Sequence, residues 1–208
     1  HDAWVWDPIL PYLGDFQNVI ALSLPGRTPE ASKAYKKIDL TTHVDAIGLA
    51  LSALEGPSML VGHSLAGLSI SQAAENHPDK IAKLMYVAAF VPQDGECMMD
   101  ITKPIQTKGI STELSFEPAL NRINIQKSER TKMLFYGSCQ EKGAELALAR
   151  LTPELLKVFS TKVRLTDQNY GRVPKIYIKC LDDLALFVKN EIKSDNSILI
   201  GRFVTQLS

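Results

Sequence analysis

Apolar residues recur along the chain in short runs punctuated by glycine and proline, and two spacings alternate. Asn18–Leu24, "NVIALSL", is an apolar run with β-branched residues, closed by Pro25-Gly26, and predicts a buried strand. Ile38, Leu40, Val44, Ile47, Leu51 and Leu54 then fall at helical spacing, with Gly56-Pro57 as the stop. "SMLVG" from Ser58 predicts a second strand, "SLAGLSISQAAENHPDK" a helix ending before Pro78, and "IAKLMYVAAFVP" a third strand ended by Pro92. Strand, helix and strand in this order indicate βαβ units and an α/β fold. Its sheet is mostly parallel, with central strands buried on both faces and flanked by helices.

The pattern changes at about residue 93. From Gln93 to Asp167 no stretch reads as a strand, whereas "SERTKMLFYG" and "EKGAELALARLTPELLKVF" carry helical spacing, so a mostly helical insertion is expected. The sheet is expected to resume at "KIYIKC" (Lys175–Cys180) and to end with "SILIG" (Ser197–Gly201). Without internal repeats or linkers, residues 1–208 read as one domain, with the insertion over about 93–167 as a cap.

Composition narrows the function classes. A formal net charge of +0 gives no basic field for nucleic acid or an anionic membrane, so neither is expected as a partner. No apolar run is long enough to span a bilayer, and no leader is visible. The three cysteines, Cys97, Cys139 and Cys180, are scattered and odd in number, which argues against a disulfide framework and for a reducing cytoplasm. The four histidines show no zinc-ligand spacing, so neither a metal nor another cofactor is expected.

Candidate chemistry centres on "SMLVGHSLAGLSI". Ser64 falls between a strand and a helix, with Gly62 two residues before it and Ala66 and Gly67 after it. A nucleophile on a sharp strand-to-helix turn needs small neighbours, and the helix N-terminus directs partial positive charge at an oxyanion formed there. The Leu65 backbone N–H, next after the serine, is then an oxyanion donor. The competing reading is a serine that merely caps the helix.

With these motifs in place, the chain resembles the α/β-hydrolase superfamily, most closely small esterases of the plant methylesterase and hydroxynitrile lyase type and their bacterial relatives. The resemblance runs through "HDAWVWDPILPYL", "VIALSLPGR", "VGHSLAGLSISQAAENHPDKIAKLMYVAAFVPQDGE", "FYGSCQEKGAELALARLTPE" and "VRLTDQNYGRVPKIYIKCLDD". It implies a central sheet with a helical cap between two strands. It also implies an acid after the strand that follows the cap, where Asp183 matches better than Asp182. Such an acid orients the base and stabilises its charged form. The family's base lies in a segment resembling Gly-His-x-x-x-x-Leu-Ser; here that segment reads "GRFVTQLS", with Arg202 at the histidine position. Arginine stays protonated near neutral pH and cannot serve as the base.

Of the other histidines weighed as base, His77 is expected as an exposed residue at a helix C-terminus, His63 with its ring turned away from the serine, and His43 as a surface or packing residue. Against the family pattern, the opening strands with their first oxyanion element, and the closing helix, have no counterpart in this sequence. Trp4, Trp6, Phe135, Tyr136 and Leu151 are candidates to line an apolar pocket between cap and sheet, or else ordinary core. The resulting expectation is a serine hydrolase acting on a small ester, with a homodimer possible by analogy. The alternatives are a hydroxynitrile-lyase-type enzyme, or a non-catalytic binding protein in which Arg202 holds an anionic ligand.

Overall fold

The computed structural model describes residues 1–14, 16, 18–27, 35–103, 109–185 and 198–199. Its central sheet has the order β1-β2-β6-β7, built from β1 (Ser58–His63), β2 (Ile81–Val87), β6 (Lys175–Ile178) and β7 (Ile198–Leu199). All three pairings are parallel, as the alternation of strands and helices predicts.

Helix α1 (Leu40–Ser52) starts where Asp39 accepts a 3.1 Å hydrogen bond from Thr42 N and the Thr42 hydroxyl answers to Asp39 N, a reciprocal cap. Its inward face carries Leu40, His43, Val44, Ile47 and Leu51, the helical stripe seen in the sequence. Helix α2 (Ala66–Asn76) packs against α1 and β1 and ends at His77, just before Pro78. Leu68, Leu84, Tyr86 and Phe90 are fully buried between these layers. No helix among the described residues is long and apolar enough to cross a membrane.

Two expectations need correction. Asn18–Leu24 forms no strand and pairs with none among the described residues; Asn18 stands at φ 62°, and Val19 and Ile20 are exposed while Leu22 and Leu24 pack on the core. An apolar run supplies the propensity for a strand, but a ladder also needs a partner in register.

The second correction concerns the insertion, which is not wholly helical. Besides α3 (Met98–Thr102), α4 (Glu129–Tyr136), α5 (Glu141–Arg150) and α6 (Leu156–Ser160), it holds β3 (Leu114–Glu117), β4 (Arg122–Ile125) and β5 (Glu154–Leu155) in an antiparallel sheet. These strands are two to four residues long, too short for a period to register. The helical pattern drawn through 141–159 breaks at Leu151–Pro153, because proline cannot continue a helix and biases the residue before it towards extended backbone.

Candidate active site

β1 delivers Ser64 to the C-terminal end of the sheet, and α2 leaves from the next residue but one. Ser64 holds φ at 54°, in the left-handed region that a residue with a side chain adopts at a cost of about 1–2 kcal/mol. The turn is held from both sides, since Ser64 O accepts 3.1 Å hydrogen bonds from Gly67 N and from Phe90 N, in the loop just past β2. A Cβ on Gly67 would lie 2.0 Å from Phe90 O, and one on Gly62 would lie 2.9 Å from Ile70 Cδ1 and 3.1 Å from Ala66 O. The small residues are therefore required by the closeness of strand and helix.

Ser64 does not cap α2. The capping position belongs to Leu65, and no side chain caps the helix there. The helix's own bonds begin at Gly67 N and at Leu68 N, which donates to Leu65 O, so Leu65 N–H lies ahead of the first of them. The first N–H groups of a helix have no partner within it and form a ready anion site.

Asp183 follows β6 at the same end of the sheet, half-buried. It accepts a 2.8 Å hydrogen bond from Ala185 N. Tyr177 and Cys180 stand beside it: burial, and then the Asp183 charge, push the Tyr177 phenol and the Cys180 thiol up. Asp182 is exposed, on the turn before it. Arg202 lies outside the described residues.

All four histidines of the chain are described, and none hydrogen-bonds to Ser64. His77 is half-buried at the end of α2, where a Cβ on Gly48 would come within 2.5 Å of its Nε2; it packs on α1 instead of standing in solvent. His43 is 1% exposed, with Nε2 3.1 Å from Pro25 O and Nδ1 3.4 Å from Ser69 Oγ. Burial, helped by the Arg27 charge, lowers its pKa to about 4, so it is a neutral packing residue. His63 is also lowered to about 4, chiefly by burial, and its ring faces His1 with centroids 5.7 Å apart.

That contact belongs to a group the sequence only partly signalled. The His1 imidazole meets Trp4 at 5.8 Å and Phe135 at 4.9 Å, and its Nε2 shares a 2.7 Å hydrogen bond with the Tyr136 hydroxyl. Leu151 packs with Tyr136 and Ala144 inside the cap, and Trp6 is half-buried on the turn that carries Trp4. His1 was not foreseen in this group, because nothing local in the sequence relates residues 135 positions apart.

A second seam, between the cap and the segment ahead of α1, is ionic at one end. Arg27, 8% exposed, donates to Glu154 at 2.5 Å. Burial alone would raise the Glu154 carboxyl, but the Arg27 guanidinium and the terminal ammonium together outweigh it and hold the pKa at about 2. Asn121, at φ 54°, donates from its amide to Tyr35 O and Ile38 O ahead of α1, while its Oδ1 accepts from Lys157 N at 2.6 Å.

The chain belongs to the alpha/beta hydrolase family, whose model matches residues 1–196. Its relatives put it with hydrolases of the esterase type. A pyrethroid hydrolase of Sphingobium wenxiniae is 27% identical over an alignment of 188 residues that covers 87% of this chain and 67% of that protein. "Probable esterase PIR7A" of Oryza sativa subsp. indica is 26% identical over 202 residues, covering 88% of this chain and 75% of the relative. Among solved structures, a pyrethroid hydrolase from Sphingobium faniae JZ-2 superposes with a TM-score of 0.78 at 26% identity, over 89% of this chain and 76% of that one.

Proposed function

We propose that the chain is a serine esterase that cleaves a small ester through an acyl-enzyme at Ser64. One observation carries this reading: Ser64 is held at φ 54° between a parallel strand and a helix N-terminus, in a turn where its side chain caps nothing. Strain of this kind persists where the surrounding structure enforces it, and it collects at functional sites. In the reaction, Ser64 Oγ bonds to the ester carbonyl carbon and its proton passes to a base. Leu65 N–H steadies the oxyanion, and the alcohol leaves with that proton. Water then releases the acid. Asp183 orients the base and stabilises its charged form. The aromatic group beside the turn suits an apolar or aromatic ester, in keeping with the pyrethroid hydrolases among the relatives.

A second reading has its own observation. The four histidines are engaged away from Ser64, and Arg202 stands where the family order puts the base. A ligand-binding homologue, with Arg202 gripping a carboxylate, fits that arrangement. Labelling with a fluorophosphonate, read by intact mass on this chain and on Ser64→Ala, separates the two. The esterase gives stoichiometric labelling that the alanine variant loses. An unlabelled, folded protein favours the binding reading, and labelling restored by Arg202→His locates the base. Hydroxynitrile-lyase chemistry would show as turnover without a burst on an activated ester.

A further inference from the structure

Both main cap helices end on the first seven residues of the chain. α4 finishes at Tyr136, whose hydroxyl shares the 2.7 Å hydrogen bond with His1 Nε2. α5 finishes at Arg150, whose guanidinium lies 4.7 Å from the centre of the Trp4 ring and approaches Asp7 at 3.8 Å. On its other side the His1 ring rests against His63, which is covalently joined to Ser64. The path from the cap to the nucleophile is thus three side chains long: Tyr136, His1, His63. Phe135 stands edge-on to the same imidazole and closes the gap beside it.

We propose that this seam is a clasp that sets how far the end of α4 stands from Ser64, and that Tyr136 thereby determines how bulky a substrate the serine accepts. The inference rests on the esterase reading of Ser64 and adds its size selectivity. The physical reason lies in the tyrosine's surroundings. Tyr136 is only 9% exposed, so parting it from His1 strands a buried hydroxyl without a partner. Burial also pushes its phenol well above the ordinary range, so it keeps its proton at any working pH. The closed arrangement is favoured by that bond, by the ring contacts and by the Arg150–Trp4 cation–π contact. A bulky group enters only when the end of α4 lifts, whereas a small one passes beneath it.

Tyr136→Phe keeps the ring and removes the bond. One net hydrogen bond corresponds to about a three- to ten-fold change in an open–closed equilibrium. The test compares labelling rates of Ser64 by a methyl and by a long-chain fluorophosphonate in the wild type and in Tyr136→Phe. The clasp predicts that the ratio of long-chain to methyl rates rises by about that factor. Equal scaling of both rates, which is what a merely structural role would give, overturns it. Should Tyr136→Phe fail to fold, Arg150→Met loosens the other half of the seam and takes the same test. If wild-type protein reacts with neither probe, the esterase reading fails, and the clasp is judged by amide hydrogen exchange over 133–139. Exchange about three-fold faster in Tyr136→Phe upholds it, and equal rates overturn it.

Discussion

The serine turn and the cap seam are both places where distant parts of the chain are pressed together, but they are held by opposite means. At the turn the contacts are backbone on backbone: Phe90 N on Ser64 O, and a gap at Gly67 that admits no Cβ. Every constraint there acts through residues within a few positions of Ser64 or just past the adjoining strand β2. At the seam the contacts are polar side chains reaching across 83 residues or more, among them Arg27 to Glu154, Asn121 to Ile38 and His1 to Tyr136. The turn is rigid because its backbone has nowhere to go. The seam is held by partners that can be removed singly, so the cap is the part of this molecule that substitution should loosen.

The largest expected effect comes from the ionic part of the seam. Arg27→Met takes the guanidinium away from buried Glu154 and leaves it only the terminal ammonium at 3.5 Å, which costs towards the lower end of about 3–5 kcal/mol of stability. The double variant Arg27→Met with Glu154→Leu should recover most of that loss. Urea unfolding of the three proteins checks it, and a loss in Arg27→Met below about 1 kcal/mol would show the pair to be a surface-like contact.

Acid separates the buried histidines from the ionic seam by pH window. His43 has a folded pKa of about 4 against an ordinary 6.5, so the unfolded chain binds its proton first. Stability is then fully present above pH 6.5 and declines as the pH falls towards 4, by about 3 kcal/mol in all. His63 pulls in the same direction. Glu154 behaves oppositely: its pKa of about 2 makes a contribution that is present above 4.5 and lost as the pH falls towards 2. Arg27→Met should shrink the lower window and leave the upper one. A wild-type stability curve that stays flat from pH 7 to 5 would contradict the assignment of His43 as a neutral core residue.

The smallest effect sharpens the picture of the turn. Ser64→Gly relieves the left-handed φ and should raise stability by about 0.5–1 kcal/mol while abolishing labelling. Ser64→Ala keeps the strain and should leave stability nearly unchanged. Equal stability in the two variants would mean that the turn stores little strain.

Legibility in the sequence follows the same division. Helix α1 was readable from its apolar stripe and the Gly56-Pro57 stop, and α2 from the glycines around Ser64 and the proline after His77. The β1 and β2 strands, and the position of Ser64 between strand and helix, were equally plain. Asp183 came from family resemblance, since an acidic pair after a strand is common on solvated loops. The short strands of the cap were not legible, nor was it that Asn18–Leu24 pairs with no strand among the described residues, because pairing depends on which backbone lies alongside. His1 gave no signal at all: one histidine before a tryptophan-rich turn says nothing about a tyrosine 135 residues later.

The sequence by itself determined the α/β class, the parallel order of its central elements and the serine turn. Hydrophobic period, chain-breaking residues and steric need for small side chains are all local quantities. Only the tertiary structure decided that Ser64 bears the strain without capping α2, that His43 is a neutral core residue, and that the cap is tied down through His1, Arg27 and Asn121. Those facts depend on burial and on partners distant in the chain, and both come into being when the layers pack.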